Sequence, residues 1–179
     1  MKKKNSTIKK LTILLSIIVI IFTVINLIWY LGVDRQYNKF CNKLVEVSDS
    51  NGRYYEKISN GYHYKIKRPS YMDFGGFLMI EDEEGSWVEY NSAGEPINSN
   101  GLCIALYIWP DIFGNYKYGV SFDDEIQDIF LQAIIDENLN FIPYDLNNTE
   151  FNTIKEMLIN ENKDEILALI DNAKTMWNF

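Results

Sequence analysis

Hydrophobic residues follow three patterns along this chain. Leu11 to Val33 is apolar almost without interruption, short runs between Tyr54 and Phe122 alternate with a period of two, and the stretch from Phe151 to Trp177 repeats at helical spacing. The first stretch holds neither a charge nor a proline. At about 1.5 Å per residue, a helix over 11–33 reaches roughly 34 Å, against a hydrocarbon core of roughly 30 Å. The pattern therefore predicts a transmembrane helix over 11–33. Tyr37, Phe40, Cys41 and Leu44 continue at i, i+3, i+4, i+7, so a helical stalk is expected over 34–50. The Ser48-Asp49-Ser50-Asn51-Gly52 run marks its break.

The alternating block reads as strands. Tyr54–Ile58 leads into Ser59-Asn60-Gly61, and Asn-Gly between apolar runs is the strongest short hairpin signal. In the return arm Tyr62, Tyr64 and Ile66 share one face, and His63, Lys65 and Lys67 share the other. A strand is expected over Phe74–Ile80 with a bulge at Gly75-Gly76, then an acidic turn over Glu81–Gly85 and a return over Ser86–Tyr90. Asn91–Gly101 has loop composition. Leu102–Trp109 is apolar on both faces and predicts a central, fully buried strand. Tyr116–Phe122 alternates again.

Asp123–Pro143 admits two readings. Ile126, Ile129, Phe130, Ala133 and Ile134 fit a helix, whereas the segment also echoes Met79–Tyr90: apolar pair, acidic turn, aromatic return. The echo favours strand, turn and short return. Further on, Asn147-Asn148-Thr149 offers caps to a helix with Phe151, Ile154 and Leu158 inward. A second helix over Asp164–Trp177 turns Ile166, Ile170, Ala173 and Trp177 inward. The expected class is α+β: a transmembrane helix, then an antiparallel sheet of hairpins covered by two C-terminal helices. The expected division is a basic tail over 1–10, the span, the stalk, and an α+β domain over 51–179.

Charge gives the span a direction. Lys2, Lys3, Lys4, Lys9 and Lys10 precede it, and no acidic residue does. The positive-inside rule then predicts a cytoplasmic N-terminus and an extracellular C-terminal domain on a single-pass cell-membrane protein. A signal peptide would have a shorter apolar core and a small-residue cleavage site, which Tyr30-Leu31-Gly32-Val33-Asp34 does not offer. All 25 acidic residues and 12 of the 17 basic ones follow the span, so the outer part carries −13 against −8 for the chain. That balance argues against nucleic acid as a partner. Lysine far outnumbers arginine, and isoleucine and asparagine are abundant, a bias of AT-rich genomes that points to a low-GC Gram-positive bacterium.

Within the span, Thr12, Ser16, Thr23 and Asn26 fit one heptad seam with Val19 between them. Small and polar residues on one face let helices approach and bond, so the seam is a candidate for self-association or for a partner span. The competing reading has these side chains bonding back to their own helix. Cys41 and Cys103 are too few for a disulfide scaffold and are expected as separate thiols.

Candidate chemistry is thin. His63 is the single histidine, with Lys65 and Lys67 close by in sequence to disfavour its charged form, but no nucleophile motif accompanies it. Glu81, Asp82, Glu83 and Glu84 lack the alternating spacing of a calcium loop, and Asp123, Asp124 and Asp128 offer no better set. The basic strip of Lys65, Lys67 and Arg68 is expected to pair with the acidic hairpin. No cofactor, metal or catalytic set is expected. Aromatic residues are dense in the strand region, and Tyr62, Tyr64, Trp87 and Tyr90 are the candidates for a binding surface, with Tyr107 and Trp109 in the same load. The expected role is an extracytoplasmic protein-interaction domain that meets another envelope protein. The alternative is a module that binds cell-wall glycan or another ligand through its aromatic rings. A pilin-like assembly subunit shares the outline of an apolar helix running into a sheet. The chain lacks its processing signature, a Gly-Phe pair with a glutamate inside the apolar run.

Overall fold

The structure is a computed structural model that describes residues 2–71, 75–83, 89–90, 96–98, 102–124, 129–145 and 148–179. Helix α1 (Lys2–Trp29) runs through a π-helical turn (Tyr30–Asp34) into α2 (Arg35–Cys41) without interruption. From Leu11 to Ile28 the apolar side chains stand exposed, Leu11 at 66 % and Phe22 at 64 %. The helix is long and apolar enough to cross a membrane. Those 18 residues span about 27 Å at helical rise, close to a hydrocarbon core.

The remainder is α+β, as the alternation predicts. Eight antiparallel strands form one sheet: β1 (Val45–Glu46), β2 (Tyr54–Ser59), β3 (Tyr62–Lys67), β4 (Phe77–Asp82), β7 (Cys103–Pro110), β8 (Tyr116–Asp124), β9 (Ile129–Ile135) and β10 (Phe141–Ile142), in the order β1-β2-β3-β4-β7-β8-β9-β10. Strands β5 (Glu89–Tyr90) and β6 (Pro96–Asn98) pair separately. Asn60 and Gly61 both take positive φ, 57° and 78°, which the tight β2–β3 turn requires and which asparagine and glycine tolerate.

Period-two geometry divides the sheet into two faces. Tyr64, Ile66, Leu78, Ile80, Ile104, Leu106, Ile108, Val120, Phe122 and Ile135 share one face, each at most 2 % exposed. Helices α3 (Thr149–Glu161) and α4 (Lys163–Trp177) pack there, α4 through Ile166, Leu169, Ile170, Ala173 and Trp177. Each buried leucine or isoleucine among them contributes about 1.5–3 kcal/mol by leaving water. In α3 the buried residue is Ile159, while Phe151 is 49 % exposed and turns away from the core, contrary to the expected stripe. Asn148 stands at its N-cap position without a side-chain bond.

The helical stalk expected over 34–50 is corrected. The helix stops at Cys41, residues 45–46 form a strand, and Leu44 reaches the core from a turn. The outer end of the rod is part of the domain core: Trp29, Val33, Tyr37, Phe40 and Cys41 are each no more than 8 % exposed. Arg68 pairs with Asp34, and the Tyr71 hydroxyl donates to Asn26 Oδ1 at 2.5 Å. Trp29 meets Tyr71 edge to face at 5.8 Å. Burial of five side chains on one helical face explains why the rod ends at the domain rather than projecting it. Segment 123–143 takes the strand reading, with β9, a turn and β10. Phe74, Ser86–Val88 and most of Asn91–Gly101 lie outside the described residues.

If the rod is held by its buried face, Tyr37→Ala destabilises the protein by about 3–5 kcal/mol, the cost of truncating a large core aromatic. Chemical unfolding of the full chain in detergent, followed by near-ultraviolet dichroism, measures it. An unchanged midpoint would contradict the docking.

Candidate functional site

The face of the sheet opposite α4 carries the candidate site, with the start of α3 at its edge. Phe77 and Met79 of β4, Ala105, Tyr107 and Trp109 of β7, Gly119 and Ser121 of β8, and Phe130 of β9 line it, because each is offset by one residue from a core position. Two adjoining hollows of about 840 Å³ and 530 Å³ share Phe77, Tyr107 and Phe130. The larger hollow reaches Tyr144, Phe151 and Lys155 beside the start of α3. Phe130 is 64 % exposed and Tyr144 is 84 % exposed. A groove rimmed by exposed rings is the usual shape of a binding site rather than of a surface sealed against water.

The rings are held in fixed relation. Phe77 meets Tyr107 edge to face at 5.4 Å, and Tyr107 lies nearly parallel to Trp109 at 5.9 Å. Trp109 needs a glycine beneath it: a Cβ on Gly119 would stand 2.7 Å from two of its ring carbons. The Tyr107 hydroxyl engages Ser121, while burial raises its pKa. Lys155 Nζ sits 5.4 Å above the Tyr144 ring, a cation–π distance.

A charged cluster borders the smaller hollow. Lys65 donates to Glu81 Oε1 at 2.6 Å, His63 Nδ1 lies 3.4 Å from the same oxygen, and His63 Nε2 lies 3.5 Å from Glu56. Cross-strand register builds it: Glu56 faces Lys65, and His63 faces Glu81. His63 therefore sits between carboxylates, not under the influence of lysines alone as expected. Lys65 does pair with the acidic hairpin, whereas Arg68 pairs with Asp34.

A thiol adjoins this cluster. Cys103 lies on the same face, but burial first, then Glu81 and Asp123, push its thiol up to about 11. A thiol so held is a poor nucleophile at neutral pH. Both cysteines are free, and Cys41 is buried. Among the described residues no three His, Cys, Asp or Glu side chains gather as a metal site would require.

The expected surface aromatics fare unevenly. Tyr64 is 2 % exposed and belongs to the core, where it packs on Trp177 at 5.6 Å. Tyr62 is half-buried against the same core. Trp87 lies outside the described residues, as do Glu84, Asp128 and the side chains of Tyr90 and Asp124. The groove is built instead from Phe77, Tyr107, Trp109 and Phe130, of which only Tyr107 and Trp109 stood in the aromatic load. In the seam, Ser16, Thr23 and Asn26 each donate to a carbonyl four residues back, and Ser16 uses that of Thr12. Asn26 also serves Tyr71, so its amide faces the domain. No protein-family model, curated protein or solved structure matches the chain.

Glu81 is only 7 % exposed. Lys65→Met therefore costs about 1–3 kcal/mol by leaving a carboxylate short of its cation, and adding Glu81→Gln recovers part of the loss. Equal midpoints for wild type and Lys65→Met in urea unfolding would contradict this. For Cys103, alkylation by iodoacetamide should be slow at neutral pH. It should rise about tenfold per pH unit and level off only near 11. A plateau below pH 9, read by mass spectrometry, would show a reactive thiol.

Proposed function

We propose that this is a single-pass membrane protein with a cytoplasmic N-terminus and an extracytoplasmic domain that binds another envelope protein. The observation that carries this reading is the open-face groove, with Phe77, Tyr107, Trp109 and Phe130 at its centre and Tyr144 and Phe151 at its rim. The half-buried rings of Phe77, Tyr107 and Trp109 beside the exposed rings of Phe130 and Tyr144 match the aromatic enrichment of protein interfaces. The five lysines before the apolar run and the acidic outer part support the orientation.

The groove favours a protein over a glycan because of how its rings are spent. Sugar stacking needs a flat, open ring face. Here Tyr107 and Trp109 turn their faces to each other, and Trp109 rests on the backbone of Gly119. What remains open is Phe130 with Tyr144, which suits an inserted apolar side chain. The outer charge of −13 favours a partner with basic character around that contact.

A photo-crosslinking residue at Phe130, in the full chain in native membranes, should give one discrete protein adduct. Trp109→Ala should weaken that contact by about 2 kcal/mol, enough to remove most of the adduct. A crosslinker at exposed Glu161 should give none. Sedimentation of the protein with peptidoglycan, lost in Trp109→Ala, would overturn the protein reading in favour of glycan. An impermeant maleimide should label Asn138→Cys on intact cells; labelling only after lysis would reverse the topology.

A further inference from the structure

We propose that the β7–β8 hairpin tip, Asp111–Asn115, seats the domain on the outer leaflet of the bilayer. This rests on the reading of α1 as a membrane span.

Height along the helix is the first argument. The exposed apolar side chains of the rod continue through Ile28, 49 % exposed, to Leu31, 47 % exposed. Gly32 follows directly, about 1.5 Å along the axis from Leu31 and about 6 Å from Ile28. Interfacial layers extend about 5–7 Å beyond the hydrocarbon on each side. Ile112 packs on Gly32, since a Cβ there would lie 3.0 Å from that of Ile112. The hairpin tip is thus fixed at the height of the headgroups by the helix itself.

Composition is the second argument. Ile112 is 41 % exposed and Phe113 is 83 % exposed. Tyr30 and Tyr71 flank the same end of the rod at 55 % and 57 % exposure. Tyrosine is a residue of the membrane–water interface, where its ring and its hydroxyl are both satisfied. These side chains continue the apolar surface of the span onto the domain, so the occupant is lipid.

A second turn supplies an internal comparison. Asp111 Oδ1 accepts from the Phe113 and Asn115 amides, and Asn115 donates to its other oxygen. Asp136 holds Asn138 and Asn140 in the same arrangement. Both turns lie at the same end of the sheet, because Tyr118 pairs with Ile135. One exposes Ile112 and Phe113, the other Glu137 and Asn138. Turn chemistry is the same, so the apolar tip is not a demand of the turn. It occurs at the turn that touches the rod.

The test places 4-trifluoromethylphenylalanine at position 113, 138 or 17 of the full chain in lipid nanodiscs. Fluorine relaxation by dissolved oxygen, which prefers lipid, is compared with relaxation by a water-soluble nickel chelate. The expected ratio of oxygen to chelate effect is highest at 17, several-fold higher at 113 than at 138, and lowest at 138. Equal ratios at 113 and 138, with 17 still oxygen-favoured, would overturn the seating and leave the span intact. Protection of 113 from both agents would overturn it in favour of a covering protein surface. A chelate-favoured position 17 would remove the span, and the seating with it.

Discussion

Everything outside the apolar run depends on the burial of one face of its outer end. Trp29, Val33, Tyr37, Phe40 and Cys41 leave water together, and they do so against side chains from the far end of the chain. Phe40 meets Phe179 edge to face at 6.3 Å, and Lys43 donates to the carbonyl of Met176. Because α4 closes the core over the central strands, the rod, the sheet and the last helix share one hydrophobic cluster. An apolar helix attached in this way does not tether a free domain. Its docked face sets the angle between the rod and the sheet.

The π-helical turn at Tyr30–Asp34 falls where the rod changes surroundings. Below it, from Leu11 to Ile28, the apolar side chains stand exposed; above it, one stripe is buried and Arg35 and Lys39 face out. A π turn adds a residue to the helix and rotates the residues beyond it about the axis. The Arg35 amide accordingly bonds to the Tyr30 carbonyl, five residues back. Gly32 lies inside this turn, where the absent side chain admits Ile112. One short segment thus reorients the buried stripe and makes room for a hairpin.

The sheet was legible wherever one face alone was apolar. Tyr62, Tyr64 and Ile66 announced both strand and inner face, because polar partners on the other side fixed the period. Leu102–Trp109 was legible as a central strand but not as a groove wall. Apolar residues on both faces say that neither faces bulk water freely; they do not distinguish a second covering layer from a binding hollow. The rod's docking was hidden for a related reason. Tyr37, Phe40, Cys41 and Leu44 are spaced as a helix, and Leu44 does pack inward, but from a turn beyond the helix end. The available signal was that Tyr37 and Phe40 oppose Arg35 and Lys39: a stalk in water has no use for an apolar stripe.

The surroundings of His63 show what no single strand can disclose. Its sequence neighbours Tyr62 and Tyr64 point through the sheet to the core, and Lys65 is two residues away. Its chemical neighbours, Glu56 and Glu81, come from the strands on either side. Pairing register decides them, and register depends on the β2–β3 turn and on the burial of Tyr64 and Ile66. The same logic places the groove. Once Leu78, Leu106 and Val120 are committed inward, Phe77, Tyr107 and Gly119 must stand on the other side. The binding face is therefore a consequence of how the core was filled, and a one-residue slip of β8 would put Val120 under Trp109 where only Gly119 fits.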